Sequence, residues 1–216
     1  EIWRARRLER QTQKAGLGPI FGRGRLRLTL LVTTMNALTL FGWWGLNLWI
    51  PSYLSLAGGQ GGVGLSPGLM SGLIIFMQVG MWLGYVSFGF ISDRAGRKKA
   101  YVGFLLAAAA FVFLYSATKN PILLLLLGPF VAYFGTGHFS GFGALTAELY
   151  PTSIRATAQG ITYNAGRIVS AAAPLVVGSL AQTRGFGFAF SLIAVSFLAA
   201  AGLWAWIPET RGRELE

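Results

Sequence analysis

The sequence predicts an all-α membrane protein of six transmembrane helices, and three observations carry that prediction. Of 216 residues, 54% are hydrophobic and only 12% are charged, a balance outside that of ordinary soluble domains. The apolar residues gather in six runs, each long enough for the roughly 20 residues that cross a bilayer. The bases gather in short caps between those runs, which leaves no stretch for a sizeable soluble domain.

The first span is placed near Leu26–Tyr53 and ends at the glycine-rich "AGGQGGVGLSPG". Within it Asn36, Leu40, Trp43 and Asn47 stand at offsets of four, seven and eleven, one stripe of a helix. The second, near Gly68–Ser92, sets Gln78 and Tyr85 on one face and a Gly80/Gly84 pair nearly opposite, a spacing that suits close helix contact. After "DRAGRKK" comes the third, Ala100–Thr118, with no strongly polar group at depth. "TKNP" opens the fourth, Pro121–Ala147, which carries His138. "ELYPTSIR" leads to the fifth, Ala156–Ala181, where Gln159, Tyr163, Arg167, Ser170 and Pro174 share a stripe beside Asn164. "QTRGFG" leads to the sixth, Phe186–Ile207, again without strong polarity. A polar group in lipid is costly unless it faces protein or water. Four helices are therefore expected to line an interior, and the third and sixth to face lipid.

Lysine and arginine set the orientation, because basic loops stay cytoplasmic. Fifteen bases fall on one side, including Arg4, Arg25, Arg94, Arg97, Lys98, Lys99, Arg155 and Arg211, against only Lys119 and Arg184 on the other. Both ends are then cytoplasmic and the glycine-rich loop external. Residues 1–25 read as a basic cytoplasmic linker lying near anionic lipid, residues 26–207 as the membrane domain, and residues 208–216 as a cytoplasmic tail. The chain opens on Glu1 with no signal-peptide pattern, which suggests a piece of a longer protein.

Several function classes are excluded or disfavoured. Without cysteine there is no disulfide framework or thiolate metal site, and no metal or other cofactor is expected. The formal charge of +11 is spread in caps rather than along a nucleic-acid-binding face. One histidine with no carboxylate inside a span offers neither the nucleophile–base pair nor the metal cluster of a membrane hydrolase, so the protein is not expected to be an enzyme.

The segment from Gly89 to Lys98, reading Gly, Phe, Ile, Ser, Asp, Arg, Ala, Gly, Arg, Lys, matches every specified position of the helix–loop–helix motif of the major facilitator superfamily. "ELYPTSIRATAQG" looks like the segment after the tenth helix of such transporters, and "PETRGREL" is similar to the carboxyl terminus of sugar-porter-like and metabolite:proton symporter members. The resemblance covers roughly Leu26 to Leu215. It implies a C-terminal six-helix half, built as a 3+3 inverted repeat, whose partners are an absent N-terminal half, the lipid bilayer and a small-molecule substrate moved with protons.

The resemblance also gives the charged knot a role. A transporter that rocks between two open states must hold its cytoplasmic ends together and then release them. Asp93 is expected to accept from a helix N-terminus or a nearby base, and Arg97 to pair with Glu148, near Arg155. Gly89 and Gly96 would allow close approach and a tight turn. Arg94, Lys98 and their neighbours complete the gating set; the alternative is that these bases only enforce topology.

The cargo reading rests on Asn36, Trp43, Asn47, Gln78, Tyr85, Tyr163 and Arg167. "WWGLNLWIPSYL" is similar to bacterial symporters of carboxylates, and the "QQxSG" signature of hexose porters is absent. Arg167 lies about 16 Å into its span, near mid-bilayer. Its guanidinium suits a carboxylate substrate held by two hydrogen bonds, or else an acid or carbonyls of the absent half. His138 is expected to pack or to bond between helices. A neutral metabolite as cargo, or a receptor of the same fold that senses without transporting, are the alternatives to an organic anion.

Overall fold

The computed structural model describes residues 18–22 and 24–212. Among the described residues every regular element is helical: α1 (Gly18–Phe21), α2 (Leu26–Ser55), α3 (Pro67–Ala95), α4 (Arg97–Ala117), α5 (Pro121–Gly137), α6 (Phe142–Leu149), α7 (Arg155–Ser170), α8 (Ala173–Arg184) and α9 (Phe186–Leu203). Most of the basic arm expected over 1–25, and the tail beyond Gly212, lie outside the described residues.

Five stretches are long and apolar enough to cross a membrane: α3, α4, α5 through α6, α7 through α8, and α9. The remaining expected span, the first, is α2, which has 30 residues but does not join them. Asn36, Asn47, its threonines and the Trp43–Trp44 pair dilute the apolar run. Two spans read from the sequence as continuous are broken. A 3₁₀ turn, His138–Gly141, separates α5 from α6, and Ala171–Ala172 separates α7 from α8. Pro174 sits in the first turn of α8, where its missing N–H and its ring prevent α7 from running on.

Local signals fix several helix ends. The Asn120 side chain accepts from the backbone N–H of Ile122 at 2.9 Å and Leu123 at 3.4 Å, with Pro121 at the first helical position of α5. Between α3 and α4 a single residue, Gly96, turns the chain at φ +102°, a backbone region that L side chains rarely adopt. The charged knot is thus almost wholly helical rather than a loop.

In lipid there is little hydrophobic drive between helices, so association depends on close packing. The α3–α5 contact shows this: a Cβ at Gly80 or Gly84 would collide with the backbone of Pro129 or Tyr133. On its other flank α2 presents Gly42 to Ser196 and Phe197, and Gly45 to Val177. Aromatic rings fill both ends of the core. Tyr53, Tyr115, Phe186 and Phe190 cluster at the glycine-rich end, and Phe88, Tyr101, Phe104 and Trp204 at the charged end. The Tyr53 hydroxyl also donates to the Thr118 carbonyl at 2.8 Å, joining the end of α2 to the α4–α5 turn.

The third and sixth spans, α4 and α9, were expected outermost. They pack against each other, and α9 also lies along α2 and α8, so Val112, Tyr115, Phe190 and Phe197 are fully buried. Their remaining apolar side chains, such as Phe113 and Val195, point outward. The least enclosed spans are α3 and α7–α8, which leave Ile75, Trp82, Phe90, Ile168 and Leu175 exposed. α2 and α3 follow one another in sequence yet touch only sparsely. A cleft opens between them.

This packing makes a direct prediction. Gly84→Leu should reduce the monodisperse folded fraction in detergent several-fold, whereas Gly103→Leu, with no atom within 4 Å of its would-be Cβ, should leave it unchanged. Size-exclusion profiles of the two variants test this, and equal behaviour would contradict the close-contact account.

Candidate functional site

Two groups of polar residues stand out, one at the charged end and one on the open side of α2. At the charged end Arg97 is the hub. Its Nη2 donates to Glu148 Oε1 at 2.8 Å, and its Nε lies 3.2 Å from both Glu148 oxygens. Nη1 donates to Ser92 Oγ at 2.6 Å and Asp93 Oδ1 at 2.5 Å. Arg97 and Glu148 are each 14% exposed as side chains, against 64% for Asp93. The partly desolvated Arg97–Glu148 pair therefore carries the interaction, and the solvated Asp93 contact adds little.

The acid at the helix N-terminus is Glu209. Its Oε1 accepts from the Arg97 backbone N–H at 2.8 Å and its Oε2 from Lys98 N–H at 3.1 Å, two of the orphan donors that open α4. Lys98 answers from the other side: its Nζ reaches the carbonyls of Ala205 at 3.3 Å and Ile207 at 3.5 Å, just past the end of α9. Thr210 Oγ1 donates to Glu148 Oε2 at 2.5 Å. Gly96 has a second reason to be glycine, because a Cβ there would stand 2.8 Å from Glu209 Oε2. Gly89 makes no close approach of its own; no atom lies within 4 Å of its would-be Cβ. Arg94 is exposed, and Arg155 Nε donates to the Tyr150 carbonyl at 3.3 Å.

Burial opposes ionisation of Glu209, but the backbone N–H groups of Arg211, Arg97, Lys98 and Thr210 outweigh it and hold the carboxyl below its ordinary range.

The second group divides around α2. Asn36 is buried and its Nδ2 donates to the carbonyls of Thr162 and Tyr163, both at 3.3 Å, while Gly166 lets α7 lie directly against it. It fastens α2 to α7 and faces no cavity. Higher on the same helix, Trp43 and Asn47 face Met77 and Gln78 of α3 across a narrow cavity of about 20 Å³. One position further around, Trp44 and Leu48 face Arg167, Ser170 and Pro174 across an open hollow of about 200 Å³. Among the described residues the Arg167 guanidinium has no ion pair or hydrogen bond; it lies 6.0 Å from the centre of the Tyr163 ring. Tyr85 and Tyr163 are both exposed.

His138 lies elsewhere. It is buried at the break between α5 and α6, with Nδ1 3.4 Å from the Phe134 carbonyl and its ring against Tyr101 and Phe139.

Residues 32–215 match the model of the Major Facilitator Superfamily. The chain belongs to that superfamily. It is similar to a Haemophilus influenzae protein named for metabolite transport, at 36% identity over 88% of this chain and 46% of the relative. It also resembles the cis,cis-muconate transport protein of Acinetobacter baylyi, at 31% identity over 73% of this chain and 37% of the relative, and the niacin transporter of the same organism, at 28% identity over 82% and 39%. The solved peptide transporter POT in complex with sulfate superposes with a TM-score of 0.72 at 20% identity, covering 82% of this chain and 37% of that one. The chain thus spans less than half the length of these relatives. Major Facilitator membership makes it part of a multi-pass membrane protein.

Sequence reasoning missed Glu209 as the acceptor at α4 and Thr210 as a ligand of Glu148. The available signal was an acid just after the last apolar run.

A carboxyl held below its ordinary range contributes stability that is complete above its unfolded value, near 4.5, and fades as pH falls through the lower folded value. The melting temperature of the complete protein should therefore fall as pH drops through that window. Glu209→Gln should lower it at neutral pH and flatten the acid slope. Thermal melts of both forms across pH test this, and parallel curves would contradict the capping role.

Proposed function

We propose that the chain is the C-terminal half of a secondary transporter that moves a small organic anion, with protons, by alternating access. The observation that carries the anion reading is Arg167. A guanidinium deep in an apolar span is costly, yet this one faces an open hollow of about 200 Å³ beside Ser170 and Trp44 with no acidic partner among the described residues. A planar fork of donors there suits a carboxylate. Relatives named for niacin and cis,cis-muconate transport, both cargoes being carboxylic acids, support the same class.

The charged end supplies the moving part. Arg97, Glu148, Asp93 and Glu209 join four chain segments through ion pairs and hydrogen bonds rather than apolar packing. Bringing them together stabilises one state of the cycle, and separating them allows the other. In this orientation the clasp is cytoplasmic, as are both ends, and residues 26–207 form the six-helix unit that docks an N-terminal half. No Asp or Glu lies in the interior of a span of this chain, so the coupling acid is assigned to that other half.

Uptake into proteoliposomes by the complete protein tests the reading. Nicotinate uptake should be accelerated by an inward proton gradient and collapse with a protonophore. Arg167→Gln should weaken carboxylate binding about tenfold or more, Arg167→Lys by less, and neither should change binding of nicotinamide. Full carboxylate affinity in well-folded Arg167→Gln would eliminate the anion site.

A further inference from the structure

The open side of α2 holds two spaces, not one. The first, about 20 Å³, is a slot with room for one small polar group such as a hydroxyl, and its polar walls are neutral: Asn47 on α2 and Gln78 on α3, with Trp43 and Met77. The second, about 200 Å³ and wider open, has Arg167 and Ser170, with Trp44 and Leu48. Trp43 with Asn47, and Trp44 with Leu48, are each one helical turn apart, so both spaces lie at the same depth along α2. The two pairs are about 100° apart on a helix roughly 10–12 Å across, which puts the spaces about 8 Å from one another over the α2 surface. The ridge between them is Trp44, 43% exposed, with Trp43 buried beside it.

From this geometry we infer that the substrate is two-ended: a carboxylate held at Arg167 and Ser170, an uncharged hydrogen-bonding group held between Asn47 and Gln78, and a flat or apolar body lying over the tryptophan ridge. The inference rests on the anion reading above and extends it by naming Asn47 and Gln78 as specificity-determining residues. Primary amides are suited to that task. Each offers two donors and an acceptor, so the pair accepts a hydroxyl, an amide or a ring nitrogen, whichever way its proton points. A second fixed charge would find no counter-ion there, since neither Asn47 nor Gln78 is ionisable. An analogue that lacks the second polar group forfeits its hydrogen bonds to both amides, and a site built to hydrogen-bond a substrate group rejects such an analogue more strongly than an apolar pocket rejects an extra methyl.

Asn36 belongs to neither space. Its amide is spent on the Thr162 and Tyr163 carbonyls, so the stripe it shares with Asn47 in sequence is a fastening at one level and a binding surface at another.

Matched probes separate the two ends. 4-Hydroxybenzoate carries both groups, 4-methylbenzoate replaces the hydroxyl with an isosteric methyl, and 4-hydroxybenzamide removes the charge while keeping the hydroxyl. Binding to the purified complete protein should favour 4-hydroxybenzoate over 4-methylbenzoate by about tenfold or more. The paired substitution Asn47→Leu and Gln78→Leu should erase that preference, bringing 4-hydroxybenzoate down to the level of 4-methylbenzoate and leaving 4-methylbenzoate itself within a few-fold. Asn47→Gln, which retains an amide, should keep part of the preference. Arg167→Gln should weaken both acids and spare 4-hydroxybenzamide.

Three outcomes overturn the inference: a preference that survives in the paired leucine variant, an equal loss for both acids in that variant, or no measurable binding of 4-hydroxybenzoate by folded wild type. If Arg167→Gln leaves both acids bound while the leucine variant erases the hydroxyl preference, the anion reading fails and the neutral subsite stands.

Discussion

The ion pair between Arg97 and Glu148 is the contact on which the charged end of the molecule depends. Both side chains are 14% exposed, so each has given up much of its hydration. Removing either would strand the other's charge in a poorly solvated place. Around this pair the same guanidinium gathers Ser92 and Asp93 from α3, while Glu148 takes the Thr210 hydroxyl and Glu209 closes the start of α4. The ends of α3, α4 and α6 and the segment after α9 are thereby tied through charge-assisted hydrogen bonds, which are strong singly and made without covalent or apolar locking.

The rest of the bundle contrasts with that end. Gly80 and Gly84 press α3 onto α5 at backbone distance, and interlocked rings fill the core between α4 and α9. That side behaves as a packed block. The α2–α3 cleft and the interrupted α7–α8 span lie on the other side, and the exposed polar groups Gln78, Tyr85, Tyr163 and Arg167 are found there. A rigid block carrying a polar, discontinuous face is what a rocking half requires. The glycine contacts and the clasp thus differ in kind: the first holds the block together, and the second is the element proposed to set when it moves.

Features written in short sequence intervals were legible. The Asn120–Pro121 helix start, the Gly80/Gly84 contact and the helical stripes of α2 and α7 depend on residues within a few positions of one another, where periodicity and capping chemistry act. What was hidden depends on distance along the chain. Glu209 caps a helix 112 residues away in sequence, and no local pattern encodes that meeting. Asn36 and Asn47 share a stripe, but only the level at Gly166 lets α7 cover it. The break at His138–Gly141 contains no proline and so left no mark. Pro174 did leave one, but it was read as part of a polar stripe rather than as the start of α8.

The most direct test of the account is an exchange of charge within the Arg97–Glu148 pair, read as transport by the complete protein in proteoliposomes. Arg97→Glu places an acid beside both Glu148 and Asp93, and Glu148→Arg sets two guanidinium groups together, so each alone should remove most of the transport rate. With both in place the pair is restored in reverse, and a substantial part of the rate should return while equilibrium ligand affinity stays within a few-fold throughout. Losses that simply add in the double variant would contradict a direct pair, and with it the clasp as the element that governs the cycle.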